Sequence, residues 1–183
     1  MSPEWTILRT ALVVPWLTVL VVKDLRTRRL PNALTLGGLA GALVLDFGWG
    51  GVPLLLSGLE AAGVCVLFLI LPFLVRAAGA GDLKMLAAAG AVVGMDEVLL
   101  LLLSVSFAGF FVALAMLLTR RVGLPRLKHA FRTLFDWRYD RKAGRAALPP
   151  KEDEGNRIPF GLAIAIGTLA TLVMEVGSSV GCP

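Results

Sequence analysis

The 183-residue chain is 57% hydrophobic and carries a formal charge of +5, with a mean hydropathy of +0.80. Apolar residues make up about half of an ordinary soluble domain, and too little polar chain remains here to cover such a core. These values exclude a soluble two-domain protein and indicate a single all-α membrane domain over residues 1–183, embedded in a lipid bilayer.

Six apolar runs are predicted to be transmembrane helices, because a helix needs roughly 20 apolar residues to cross a bilayer. In chain order they cover about 5–22, 33–47, 54–75, 83–94, 98–118 and 158–176. Pro31 and Asn32 form a turn and helix-start signal before the second run, and residues 46–53 are predicted to be a turn after it. The sequence therefore predicts a polytopic bundle of about six helices.

The distribution of charge predicts the orientation of these helices. Of the 18 Lys and Arg residues, all except Arg9 fall in loops or helix ends that alternate onto one side. The opposite side carries the acidic residues Glu4, Asp46, Asp96, Glu97 and Glu175. The positive-inside rule then places both termini outside the cell and a loop at about 120–157 in the cytoplasm.

That loop combines apolar and basic residues at helical spacing, which favours an amphipathic helix on the inner leaflet or, alternatively, a partner-docking segment. Because membrane orientation accounts for the basic charge, nucleic-acid binding is not predicted. Trp5 and Trp49 are expected in an outer aromatic belt. Glycines four residues apart, at 37 and 41 and at 90 and 94, predict close packing of helices.

Two aspartates stand at the ends of apolar runs that face the same side. Asp24 closes the first run, and Asp82 follows two glycines before the fourth. Carboxylates near hydrocarbon are costly and are functional candidates by default. Two close together share a proton, so one can activate a water while the other acts as an acid. The structural alternatives are a helix-end residue paired with Lys23 or Arg26 for Asp24, and a helix N-cap for Asp82.

Other catalytic chemistry finds little support in the sequence. The single histidine, His129, lies in the basic loop, so a Ser/His/Asp catalytic set is not predicted. Cys65 and Cys182 form no CxxC pair, so neither a metal site nor a cofactor is predicted. The glycines before Asp82 are too few to cradle a phosphate. The aspartate pair remains as the candidate catalytic apparatus.

Residues 79–82 (Gly-Ala-Gly-Asp) match the GxGD motif of intramembrane aspartyl proteases. Together with residues 24–32 (Asp-Leu-Arg-Thr-Arg-Arg-Leu-Pro-Asn) and 158–161 (Ile-Pro-Phe-Gly), the chain resembles the type IV prepilin peptidase family. The resemblance implies that Asp24 and Asp82 are catalytic. The residues expected to support them are Gly79, Gly81, Lys84, Pro31 and Asn32.

The resemblance further implies an aspartic endopeptidase of the bacterial inner membrane that removes the basic leader of prepilin-like proteins at the cytoplasmic face. Without a CxxC pair, the chain is similar to the short, stand-alone form that serves Flp-type or tight-adherence pili, and N-methyltransferase activity is not expected. The rival interpretations are a small proton- or ion-coupled transporter, using Asp24, Asp82 and Glu60, and a non-catalytic pilus assembly factor. Transport sites usually lie near the membrane midplane, whereas these aspartates lie at one boundary.

Overall fold

The computed structural model describes residues 3–27, 31–74, 78–118 and 160–180, which are helical almost throughout and contain no strand. These ranges contain five helices, named here in chain order: α1 (Pro3–Thr27), α2 (Asn32–Leu74), α3 (Ala80–Val93), α4 (Val98–Leu118) and α5 (Phe160–Val180). Of these, α1, α2, α4 and α5 are long and apolar enough to cross a membrane. The all-α membrane class is confirmed, while the count of six spans and the outside termini stay predictions. The predicted loop at about 120–157 lies outside the described residues.

A single glycine divides α2 into two arms, residues 32–50 and 52–74. Gly51 has φ 64° and ψ −150°, a conformation that side chains other than glycine rarely adopt. Asp46 on the first arm lies against Gly58 on the second, since a Cβ at Gly58 would be 2.6 Å from Asp46 Oδ2. In a straight helix these residues would be about 18 Å apart along the axis. The arms therefore fold back on each other, and the turn predicted at 46–53 is reduced to one residue.

Helix α3 is the centre of the packing, with every residue from Met85 to Val93 buried. It lies along the second arm of α2, where a Cβ at Gly90 would be 2.9 Å from Ala61 O and 2.6 Å from Cys65 Sγ. The close packing predicted at Gly90 is confirmed. Gly94 instead ends the helix, with φ 81° and its N–H donating to Gly90 O at 2.9 Å.

The prediction of close helix packing at the first glycine pair, Gly37 and Gly41, is wrong. A Cβ at either position would meet no atom of the described residues within 4 Å, apart from its chain neighbours and nearby helix backbone. Small-residue spacing permits close approach of a second helix but does not supply one. Among the described residues, no helix therefore packs closely on the first arm of α2 at Gly37 or Gly41.

Helix α1 has a buried stripe whose members recur every three or four residues, as one face of a helix requires. The stripe consists of Thr6, Arg9, Val13, Leu17, Leu20 and Asp24. Its middle is apolar and its ends are polar. Arg9 contacts Glu175 near the end of α5, and Asp24 contacts Gly161 near its start, so α1 and α5 are antiparallel.

The bundle thus has two polar ends. We call the end with Asp24 and Asp82 the aspartate end, and the end with Arg9, Asp46 and Glu175 the arginine end. At the latter, Trp5 is 1% exposed and stacks on Trp49 with ring centroids 5.0 Å apart. The ring of Trp5 therefore packs inside the bundle, and the aromatic belt at the outer membrane surface stays a prediction.

Candidate active site

Asp24 lies in the last turn of α1 and is 8% exposed. Its carboxyl group packs directly against the first turn of α5, where a Cβ at Gly161 would be 2.6 Å from Oδ2 and 3.0 Å from Cγ. Any side chain at position 161 would displace the carboxylate or the helix. Gly161 is therefore part of the site because it leaves room for Asp24. In the sequence, Gly161 belongs to the segment at 158–161 that carries part of the family resemblance, but no role was predicted for it.

Asp82 is the third residue of α3, and its Oδ2 accepts a hydrogen bond from Gly79 N–H at 2.8 Å. Gly79 is the N-cap, with extended backbone at φ −88° and ψ 160°. The alternative in which Asp82 is itself the N-cap is wrong, because its side chain reaches back to the cap residue. A carboxylate in the first turn of a helix is stabilised by the exposed N–H groups and the helix dipole.

Gly79 also leaves room for the close approach of its backbone to the Asp82 carboxyl group. A Cβ at Gly79 would be 3.3 Å from Asp82 Oδ2, tighter than ordinary van der Waals contact. Gly81 lies beside Asp82 in the first turn of α3. Ala78, just before the cap, is buried and donates its N–H to Pro72 O at 3.2 Å, which ties the start of α3 to the end of α2.

The two sequence motifs meet through a side-chain contact. Lys84 Nζ donates to Asn32 Oδ1 at 2.8 Å, joining the first turn of α3 to the first turn of α2. Pro31 O begins α2 by accepting from Leu34 N at 3.0 Å and Thr35 N at 3.2 Å, which confirms the predicted helix start. The motif-supporting residues Pro31, Asn32 and Lys84 are therefore brought together.

These contacts place the end of α1 and the starts of α2, α3 and α5 at one end of the bundle. Asp24 and Asp82 both lie there, Asp24 against α5 and Asp82 against its own helix start. Their action as one acid/base pair stays a prediction. Within the described ranges, no group of three His, Cys, Asp or Glu side chains is placed to hold a metal ion.

A second buried polar cluster lies at the arginine end. Arg9 donates through Nη1 to Val92 O at 2.6 Å and to Val93 O at 3.3 Å, and through Nη2 to both carboxylate oxygens of Glu175. Thr6 Oγ1 also donates to Glu175 Oε1, at 3.5 Å. Sequence reasoning missed this pairing, although the position of Arg9 on the buried stripe of α1 was a usable signal.

Comparison with known families identifies the class of protein to which the chain belongs. Residues 11–114 match the model of a peptidase family, so this helical membrane protein is a protease. The matched range contains Asp24, Asp82 and all five motif-supporting residues.

The matched family is the type IV leader peptidase family, and the chain belongs to it. The match covers more than half of the chain and ends within α4, before Gly161. No curated protein and no solved structure gives a significant match.

Proposed function

We propose that the protein is an aspartic endopeptidase that removes the basic leader of prepilin-like proteins, including Flp-type substrates, at the cytoplasmic face of the bacterial inner membrane. One observation carries the proposal. The family match encloses both Asp24 and Asp82, and these aspartates belong to helix turns at the same end of the bundle. Prepilin-like substrates follow from the family.

The mechanism requires one charged and one protonated carboxyl group. The ionised aspartate takes a proton from a water molecule as the water oxygen attacks the scissile carbonyl carbon. The protonated aspartate donates its proton to the carbonyl oxygen, giving a tetrahedral intermediate without net charge transfer. In the collapse, the aspartate that took the water proton donates it to the leaving nitrogen as the C–N bond breaks. The other aspartate takes a proton from a hydroxyl group of the intermediate as the C=O bond re-forms, which restores the starting protonation of the pair. Two neighbouring carboxyl groups share a proton in this manner because both cannot readily ionise together.

Helix geometry favours one charged and one protonated carboxyl group at the aspartate end, with the charge on Asp82. Asp82 accepts the Gly79 N–H at the start of α3, where a helix stabilises negative charge. Asp24 is buried in the last turn of α1 against Gly161. The glycines at 161 and 79 carry no side chain, so the backbone of α5 packs directly on Asp24 and the backbone at the start of α3 approaches Asp82.

The substrate must be partly unwound at the cut site. Its apolar helix would lie in the bilayer against the bundle, with the basic leader in water on the cytoplasmic side. Backbone without helical hydrogen bonds is tolerated at membrane depth where it lines a cavity or is buried in protein. The scissile bond would therefore meet Asp24 and Asp82 at the membrane boundary.

The test replaces each aspartate with its uncharged isostere. Asp24→Asn and Asp82→Asn, each co-expressed with a candidate prepilin, should abolish leader removal while the protein still accumulates in the membrane. Gel shift and the N-terminal mass of the product report cleavage. Asp96→Asn, in the exposed turn after α3 at the opposite end, is the matched control and should cleave normally. Normal leader removal by both test variants would reject the proposal.

The same product also tests for a second activity. We propose peptidase activity without N-methyl transfer, since the chain's two cysteines form no CxxC pair. The mature N-terminus should therefore have the mass of an unmodified amine. A product heavier by one methyl group, formed by the purified protein, would contradict this part of the proposal.

The rival functions predict different results from these variants. A transporter interpretation uses Glu60, which is exposed on the second arm of α2. Glu60→Gln should leave leader removal unchanged if the protein is a peptidase. A non-catalytic assembly factor would instead support pilus assembly from the intact prepilin when both aspartates are Asn, whereas a peptidase with these substitutions would not.

A further inference from the structure

A cavity of about 150 Å³ lies between α1 and the first arm of α2 at the arginine end. Its lining includes Trp5, Arg9, Trp16, Gly41 and Asp46. It is separate from the aspartate end, where Asp24 and Asp82 lie. Nothing in the peptidase mechanism uses it.

Three buried polar atoms on the lining residues have no hydrogen-bond partner within the described part of the chain. They are Trp5 Nε1, Arg9 Nε and Asp46 Oδ2. Trp5 is 1% exposed, and Arg9 and Asp46 are each 3% exposed. Buried polar groups in proteins are hydrogen-bonded in the large majority of cases, because an unmade bond is costly away from bulk water. Three such atoms around one cavity indicate a shared ligand.

The charges around the cavity select the class of ligand. A metal cation would meet the Arg9 guanidinium group, and the described residues contain no set of three metal-ligating side chains. An anion would meet Asp46 and, beyond Arg9, Glu175. The two orphan N–H groups need an acceptor and the orphan oxygen needs a donor. A neutral molecule that both accepts and donates satisfies all three.

We propose that this cavity is a hydration site that holds a small cluster of ordered water molecules. Water oxygen accepts from Trp5 Nε1 and Arg9 Nε, and water O–H donates to Asp46 Oδ2. The volume is sufficient, since one water occupies about 30 Å³ in the liquid. An acyl chain of a lipid, the other neutral occupant of suitable size, would leave all three atoms unsatisfied.

The hydration site completes the polar cluster that joins four helices. Arg9 on α1 already bonds α3 through Val92 O and α5 through Glu175. Water between Arg9 and Asp46 adds α2 to this network. Ionisable side chains within membrane helices commonly face a water-filled cavity of this kind.

Hydroxyl-radical footprinting of the full-length protein in lipid nanodiscs tests the proposal, because radicals formed from a bound water oxidise the side chains next to it. The probe is water itself, and oxidation is read by mass spectrometry. Trp5 and Met85 are equally buried, at 1% and 0% exposure, but Met85 lies in the α3 core and not on the cavity. Trp5 should be oxidised several-fold faster than Met85, although methionine is intrinsically the more reactive side chain. Equal protection of both would overturn the proposal.

Two variants distinguish cavity water from bulk solvent. Asp46→Leu removes the acceptor, and Gly41→Leu adds a side chain to the cavity wall at a position where a Cβ meets nothing within 4 Å. Either change should lower Trp5 oxidation several-fold, whereas Asp46→Asn should preserve it. Low Met85 oxidation reports that each variant has a closed core. If Asp46→Leu fails this criterion, Gly41→Leu decides the result. Unchanged Trp5 oxidation in a folded variant would overturn the proposal.

Discussion

Both polar ends of the bundle contain carboxyl groups, but the residues that contact these groups differ. At the arginine end, Glu175 is held by Arg9, and the same guanidinium group also binds the carbonyls that end α3. At the aspartate end, the neighbours that contact Asp24 and Asp82 include glycines, Gly161 and Gly79. At the arginine end a cation joins helices through a carboxylate, whereas at the aspartate end glycine backbone packs against the carboxyl groups.

Burial alone does not identify a catalytic carboxylate. Asp24 and Glu175 are both 8% exposed, and Asp46 is 3% exposed. Asp24 and Glu175 differ in a contact that the structure shows, because Glu175 is paired with Arg9 and the Asp24 carboxyl group packs against Gly161. Substitutions at the two ends should therefore affect different measurements, stability at the arginine end and cleavage at the aspartate end.

The largest effect is expected from Arg9→Leu. This change leaves the Glu175 carboxylate buried without its partner, which typically costs about 3–5 kcal/mol of unfolding free energy. Unfolding of the purified protein in detergent measures the loss. Adding Glu175→Leu should recover most of it, since replacing both charges by apolar groups is often close to neutral. A double variant no more stable than the single would contradict a dominant role for this pair.

Gly161→Ala should act on cleavage. The new methyl group would lie 2.6 Å from Asp24 Oδ2, so the carboxylate must move. Misplacing a catalytic group by about 1 Å costs on the order of 100-fold in rate. Leader cleavage by purified protein at saturating prepilin gives the measurement. Gly177→Ala on the same helix is the control, because its methyl group meets nothing within 4 Å. Equal rates for the two variants would remove Gly161 from the site.

Gly58→Ala makes the matching change at the arginine end. Its methyl group would lie 2.6 Å from Asp46 Oδ2 and 3.2 Å from Ala91 O. Overpacking of this kind lowers the free energy of unfolding by about 1–3 kcal/mol. The rate of cleavage per folded molecule should stay unchanged. Gly63→Ala lies on the same arm with open space at its Cβ, so it should leave both the free energy of unfolding and the rate of cleavage unchanged. A loss of cleavage rate without a loss of stability would break the division between the ends.

The smallest effect is expected from Lys84→Met, which removes the hydrogen bond to Asn32. A single bond of this kind contributes about 0.5–1 kcal/mol, so the cleavage rate should fall about 2–5-fold. Asn32→Ala should have a similar effect, and the double variant should be no slower than either single one. Additive losses would show that Lys84 and Asn32 act separately, for example by contacting the substrate.

Local signals made much of the fold predictable. Pro31 and Asn32 gave the start of α2, and the apolar runs gave the helices. Glycine-rich residues 46–53 gave the position of the break, although only Gly51 leaves the helical conformation. The start of α3 was predicted at about 83 and lies at Ala80, because Asp82 stabilises the first turn from within it.

The remaining features depend on contacts between distant parts of the chain. Arg9 and Glu175 are 166 residues apart in sequence, so no spacing rule connects them. The role of Gly161 likewise follows only from the approach of α5 to Asp24. Asp24 and Asp82 could be singled out from the sequence, because a carboxylate beside hydrocarbon is unusual wherever its partners lie.

Cysteine cross-linking tests whether Asp24 and Asp82 meet as the proposed catalytic pair. In a chain carrying Cys65→Ala and Cys182→Ala, the pair Asp24→Cys and Asp82→Cys should be joined by a short bifunctional thiol reagent in native membranes. The pair Asn32→Cys and Lys84→Cys is the positive control, since these side chains are in contact at 2.8 Å. The pair Asp24→Cys and Asp96→Cys, from opposite ends of the bundle, is the negative control. A cross-link between 24 and 82 is the predicted result, and its absence where 32 and 84 are joined would contradict the pairing.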